Sequence, residues 1–204
     1  SVGSGQVLQC AYTCEKARLV VCEMTDLLAL DLVEKRLVTD QMTLTIGYDI
    51  ENLTDPVRRK NYKGEVTVDR YGRKIPRHAH GTVNLDRQTS SSELIISAVL
   101  KLYDEITDKN LLVRRISVTA GRVVSEDLAR EKENFEQLEL FTDYEAREKE
   151  KKKEEERLQR ERRMQEAVLD IKKKFGKNAV LKGMNFEEGA TARERNRQIG
   201  GHRA

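Results

Sequence analysis

The chain has 204 residues, 38% hydrophobic and 36% charged, with three cysteines and a formal net charge of +3. That is enough for one domain of ordinary size plus an extended portion, and too little for two large domains. No apolar run approaches the ~18 to 20 residues that span a membrane, and the opening SVGSGQ lacks a basic stretch followed by an apolar core, so neither a transmembrane helix nor a signal peptide is expected.

The first residue is Ser rather than Met and the chain opens in a strand pattern, which suggests a piece of a longer protein. Cys10, Cys14 and Cys22 match neither a zinc pattern nor a disulfide framework, so reduced thiols in a cytoplasmic compartment are expected, with no metal site. His78, His80 and His202 lack partners at ligand spacing and read as solvated. Residues 143–204 hold 18 Lys/Arg against 13 Asp/Glu, leaving 20 against 22 for residues 1–142. Within that balanced part, residues 58–87 carry nine cations, among them Arg73 and Lys74, against Glu65, Asp69 and Asp86. Such a local excess suits a polyanion-facing edge, and it equally suits a solvated loop.

Val7, Leu8 and Tyr12 follow a Gly/Ser start and predict a first strand over 1–13. Leu19, Val20, Met24, Leu27, Leu28, Leu30 and Val33 predict a long amphipathic helix over 15–38. QMTLTIGYDI (41–50) alternates strictly, with Met42, Leu44, Ile46, Tyr48 and Ile50 on a buried side and Thr43 and Thr45 on a wet one. Residues 51–78 are polar and basic, and TVDRYGRKIP fits a small hairpin turning at Tyr71-Gly72; AHGTVNLDR (79–87) is a weaker strand. TSSSELIISAVLKLYDEIT (89–107) opens in capping residues and repeats its apolar positions at helical spacing. VRRISVTAGRVV (113–124) alternates again and predicts the last strand.

The order is βαββαβ, which predicts an α+β fold: a four-stranded, mostly antiparallel sheet with two helices on one face and the other face open. An extended charged helix and tail follow. Residues 145–163 are Glu, Lys and Arg apart from Ala146, Leu158 and Gln159, so a helix there is expected to be solvated; Met164, Val168, Ile171 and Phe175 restore an apolar stripe. The organisation read from this is 1–124 as one domain, 125–142 as a linker and 143–204 as a charged helix and Gly-rich tail.

Function is expected on the open face. Thr43, Thr45, Thr82 and Asn84 offer hydroxyls and an amide there, Arg114 and Arg115 enter the last strand, and Arg73 and Lys74 lie in the basic loop; such donors suit phosphate oxygens without reading bases. Ser4 and Gly5 belong to the flexible start of the first strand. Ser90 and Ser91 open the second helix, where free N–H groups attract an anion, although simple capping explains the Ser run as well. An RNA-recognition module shares the βαββαβ order but needs exposed aromatics on its central strands, and here only Tyr48 is available, in phase with the buried set. No Cys/His pair, phosphate-binding Gly loop or His cluster supports catalysis within the chain.

SVGSGQVL in the first strand, Thr89-Ser90-Ser91-Ser92 opening the second helix and VRRISV in the last strand resemble the little-finger (polymerase-associated) domain of Y-family lesion-bypass DNA polymerases, the UmuC/DinB/ImpB group. The resemblance covers residues 1 to 124 and is closest to UmuC-like proteins of Gram-positive bacteria, through GYDIEN, RYGRKIP and the final IGGH. It implies a domain that grips primer-template DNA by its phosphates during translesion synthesis in the SOS response. Arg114 and Arg115 match the Arg-Arg-Ile element that holds the template, and Ser4 and Gly5 the backbone-contact segment; Ser90, Ser91, Thr43, Thr45, Thr82 and Asn84 are further contacts. By the same resemblance, the family's catalytic carboxylates, which hold two Mg²⁺ ions, would lie in a palm domain before Ser1, so no cofactor is expected in this chain.

Gln137-Leu138-Glu139-Leu140-Phe141 resembles the peptide by which bacterial polymerases bind the sliding clamp. Gln137 would make the polar contact, Leu138 the smaller apolar one, and Leu140 with Phe141 would fill the deep pocket. The alternative is that this segment packs back as a terminal strand. The expected partners are therefore primer-template duplex and the sliding clamp, with no membrane. The competing reading is a non-catalytic adaptor that uses the same fold to bind protein.

Overall fold

The computed structural model describes residues 1–136, 144–199 and 202–203, with the side chains of 1–131 and 152–198. β1 (Val2–Tyr12) leads into α1 (Cys14–Glu34), capped by the Thr13 hydroxyl. β2 (Leu37–Tyr48) follows, then two short helices, α2 (Glu51–Thr54) and α3 (Pro56–Asn61). A small hairpin of β3 (Val66–Val68) and β4 (Lys74–Pro76) precedes β5 (Ala79–Thr89) and α4 (Ser92–Ile106). β6 (Val113–Gly121), β7 (Val124–Ser125), α5 (Glu126–Glu136) and α6 (Tyr144–Phe175) complete the larger elements. A 3-10 turn at Gly183–Phe186 and α7 (Ala192–Arg195) lie in the tail.

The main sheet runs β1-β6-β2-β5, antiparallel throughout, with β7 paired to the start of β2. This is the expected α+β arrangement with one short strand added. The first helix ends earlier than its apolar pattern suggests: Arg36 turns the chain at φ 53°, and Leu37 and Val38 pair with Ser125 and Val124 instead of adding a helical turn. Leu37 and Val38 fit either structure locally, so the distant strand decides.

The apolar sides of both helices and of the sheet meet in one core. Val20, Val21, Met24 and Leu32 of α1 and Ile95, Val99 and Tyr103 of α4 close over Met42, Leu44, Ile46, Ile116 and Val118, all buried. Each such side chain contributes roughly 1.5–3 kcal/mol of burial free energy. Gly81 lets α4 sit close to β5, since a Cβ there would lie 2.9 Å from Leu102 Cδ1. The Tyr103 hydroxyl donates to the Cys14 carbonyl at 2.8 Å, and burial pushes its pKa up. Residues 51–61 form helices where the sequence shows only a polar stretch. Asn52 anchors them, donating to the Leu112 carbonyl and accepting the Leu112 N–H, both at 2.9 Å.

The C-terminal region departs from the expectation of a solvated helix. One side of α6 lies over the starts of α4 and α5: Arg157 pairs with Glu93 at 3.1 Å, Arg162 with Glu126 at 2.5 Å, and Gln165, 7% exposed, donates to the Ser90 carbonyl at 3.0 Å. Lys173 reaches Glu34 of α1 at 3.3 Å. The contacts with α4 are polar and Val168 is half-buried beside Leu30 of α1, while Met164 and Phe175 of the apolar stripe remain 60% and 68% exposed. The tail then crosses α1, where Lys182 pairs with Asp26 at 2.6 Å. Helices α1 and α4 are therefore covered in part by a third layer, and among the described residues the other face of the sheet is open.

Candidate nucleic-acid interface

Side chains alternate across a strand, so burial of Met42, Leu44 and Ile46 sends Gln41, Thr43 and Thr45 to the opposite face. The register places these in rows across the sheet. Gly3, Thr119, Thr43 and Thr82 form one row, and Gly5, Ser117, Thr45 and His80 the next. Gln41 Nε2 donates to Asn84 Oδ1 at 3.1 Å, the Thr43 and Thr82 hydroxyls are 3.0 Å apart, and Thr45 Oγ1 lies 2.9 Å from His80 Nδ1. Each hydroxyl can rotate to donate outward, which suits oxygens of a phosphate chain. Glycine at the edge keeps the face low: a Cβ on Gly3 would lie 2.8 Å from Thr119 Oγ1.

Thr43, Thr45, Thr82 and Asn84, expected on this face, are all found there. Gln41, Ser117, Thr119 and His80 join them. Ser117 and Thr119 carried a signal, being out of phase with Ile116 and Val118; His80 became legible only through its pairing with Thr45.

Arg114 and Arg115 part company. Arg115 occupies the row of Val7 and Gly47 and is exposed on the open face. Arg114 sits in the bulge between Val113 and Arg115, where its Nη1 donates to the Gln9 carbonyl at 3.0 Å and its Nε lies 3.7 Å from Asp49 Oδ2. In the hairpin, Arg73 folds onto Asp69, Nε to Oδ2 at 2.8 Å, while Lys74 is exposed. The N–H groups of Arg73 and Tyr71 and the Arg73 guanidinium hold the Asp69 carboxyl below its usual range.

Ser4 and Gly5 point to opposite faces. Gly5 is in an open-face row, whereas Ser4, opposite buried Val118, accepts a hydrogen bond from Arg195 Nη2 at 2.9 Å on the helix side. Ser90 and Ser91 are buried, and the start of α4 already holds an anion: Glu161 accepts the Ser91 hydroxyl at 2.5 Å and the Glu93 N–H at 3.0 Å. Ser91 also caps the helix, accepting the Leu94 N–H at 3.2 Å. The helix dipole and free N–H groups thus attract a carboxylate supplied by the chain itself. Gln137, Leu138, Leu140 and Phe141 lie outside the described residues.

Among the described residues, no group of three or more His, Cys, Asp or Glu is placed to hold a metal ion, and no helix is long and apolar enough to cross a membrane. A family model described as the impB/mucB/samB family C-terminal domain matches residues 1–140. No curated protein matches the chain.

Proposed function

The chain belongs to the impB/mucB/samB family, carrying the C-terminal little-finger domain of a Y-family polymerase, and from that membership we propose that its open sheet face grips primer-template duplex by the phosphates without reading sequence. The observation that carries the reading is the array of hydroxyl and amide rows running across the sheet, with exposed Arg115 at one end. Hydroxyls, amides and a guanidinium position a phosphate chain and carry no base identity.

In this reading residues 1–124 are the gripping unit, with Gly5, Thr43, Thr45, Thr82, Asn84, Lys74 and Arg115 as contacts and Arg114 and Arg73 as supports for the basic edge. Ser4, Ser90 and Ser91 contribute backbone and helix-end geometry. Residues 125–142 tether a clamp-docking peptide, with Gln137, Leu138, Leu140 and Phe141 seated in the sliding clamp's pocket. Residues 143–204 brace the helical side of the domain. The parent protein is a cytoplasmic translesion DNA polymerase of the SOS response, of the UmuC-like Gram-positive type, whose polymerising centre lies in another domain.

Binding of labelled primer-template duplex, titrated with salt, tests the grip. The association constant should fall steeply with added salt and stay nearly equal across unrelated sequences. A folded protein that binds no duplex even at low salt would rule the grip out and favour a protein-binding adaptor. A peptide spanning Asn134 to Asp143 should bind purified sliding clamp, and replacing Leu140 and Phe141 by Ala should abolish that binding; equal binding by both peptides would remove the clamp assignment.

A further inference from the structure

Among the described residues the β3–β4 hairpin pairs only with itself, Val66 opposite Pro76 and Val68 opposite Lys74. Its tip is folded in advance. Asp69 Oδ1 accepts the Tyr71 and Arg73 N–H groups, both at 2.9 Å, and the Asp69 carbonyl accepts the Gly72 N–H at 3.0 Å. Gly72 adopts φ 78°, a left-handed conformation that glycine takes without steric penalty. On this rigid turn Tyr71 is 69% exposed, and the guanidinium carbons of Arg70 and Arg73 lie 5.1 and 5.2 Å from its ring centroid.

A large aromatic left 69% exposed on a solvent-facing turn buries little apolar surface for the fold. Its chemistry fits a partner that combines flat π-surfaces with negative charge. Single-stranded nucleic acid has both: bases stack on an aromatic ring, and arginines beside the ring meet the flanking phosphates. Within a duplex the base faces are stacked on one another, so the body of the helix offers the ring no surface. The acids of the hairpin are already engaged, Asp69 by Arg73 and Glu65 by Arg77, which leaves Arg70 and Lys74 exposed for a polyanion.

The position is also suitable. β4 runs through Arg77 and His78 into β5, and the register puts this junction at the end of the open face that carries Arg115 and Gly47. The hairpin thus leads directly into that end of the open face. We propose that the tip of the hairpin binds unpaired nucleotides adjoining the duplex, Tyr71 stacking on a base while Arg70 and Lys74 meet the neighbouring phosphates and Arg73, held by Asp69, backs the ring. This rests on the duplex grip argued above and adds a second, single-strand site to it.

The chain has no Trp, so Tyr71→Trp places a lone reporter at the tip. The full chain carrying it is titrated with blunt duplex, the same duplex with a single-stranded 5′ extension, and oligo-dT, with anisotropy of labelled DNA following binding in parallel. The expected result is quenching of Trp emission by the extended duplex and by oligo-dT, and no quenching by bound blunt duplex. Tyr71→Ala should weaken binding of the extended duplex about ten-fold, Tyr71→Phe should retain it, and both should bind blunt duplex like the unaltered chain. Extended and blunt duplex bound equally well, with unchanged emission, would overturn the single-strand site and leave the grip standing. Equal loss on both substrates in Tyr71→Ala would overturn it too. Absence of binding to every DNA would overturn the grip and this site together.

Discussion

Glu23 and Thr191 are 168 residues apart in sequence, yet the Thr191 N–H donates to Glu23 Oε2 at 2.7 Å. Glu23 is 1% exposed on α1, and its carboxylate also accepts the Asn185 side-chain amide at 2.7 Å and the Ala192 N–H at 3.1 Å. A buried carboxylate is tolerable only when its lone pairs are filled, and here the tail fills them. The tail in turn depends on Glu23, because without it the N–H groups of Thr191 and Ala192 lose their acceptor. Glu23→Ala should therefore release residues 182–195 from α1, at a cost of about 1–3 kcal/mol for each donor left unpaired in the docked state. Amide hydrogen exchange would show it as lost protection at Thr191 and Ala192, with the amides of β2 and β6 unchanged.

The start of α4 gives a second prediction. Glu161 bonds the Ser91 hydroxyl and the Glu93 N–H, and Ser91 alone caps Leu94. Removing the carboxylate should loosen α6 without unwinding α4. Glu161→Ala is expected to lower stability by about 1–2 kcal/mol. Glu161→Gln keeps an acceptor and loses the charge–dipole attraction, so it should lose about 0.5 kcal/mol. Urea unfolding of the two variants would check the order, and equal losses would mean that charge contributes nothing.

These two contacts also show what the sequence could not convey. The alternation of Met42, Leu44 and Ile46, and of Ile116 and Val118, announces both the sheet and its wet face, because period-two burial is a strong local signal. Ser117 and Thr119 were readable by the same rule. The docking of α6 was not, since Glu161, Arg162 and Gln165 are polar and the contact is made of hydrogen bonds to Ser90, Ser91 and Ser92. Hydrophobic periodicity points instead to Met164, Val168, Ile171 and Phe175, of which Val168 is half-buried and the other three are exposed. The separation of Arg114 from Arg115 was equally hidden, because a bulge depends on strand pairing and not on the two residues themselves.

Acid stability should register the link between the two core helices. Arg18 of α1 grips Asp104 of α4 with two bonds, Nε to Oδ1 at 2.9 Å and Nη2 to Oδ2 at 3.0 Å. The Arg18 hydrogen bond, followed by the smaller charge attraction, holds the Asp104 carboxyl below its usual range. A group with a lowered folded pKa binds fewer protons when folded, so its stabilisation is complete above the unfolded value near pH ~4 and disappears as pH falls through the folded value. Both side chains are nearly half exposed, and water screening keeps the contribution under about 1 kcal/mol. Asp104→Asn should thus be slightly less stable than the unaltered chain at pH 7. The gap should close as the pH is lowered below 4, and urea midpoints across that range would measure it.

The neighbouring arginines of β6 should behave differently under substitution. Arg115 is exposed on the open face, so Arg115→Ala should leave the thermal midpoint unchanged and remove one phosphate contact. For one contact, the slope of log binding constant against log salt should become shallower by about 0.9. Arg114 instead ties the Gln9 carbonyl of β1 to Asp49 at the end of β2. Arg114→Ala leaves Asp49, largely buried and still accepting the Glu51 N–H at 2.8 Å, without its cation. A loss of about 1 kcal/mol is expected from the broken bond to Gln9, with weaker DNA binding following from the loosened strand end. Paired measurements on each variant, urea unfolding and salt-titrated duplex binding, separate the two roles. An unchanged salt slope in Arg115→Ala would show that this guanidinium does not touch the phosphate chain.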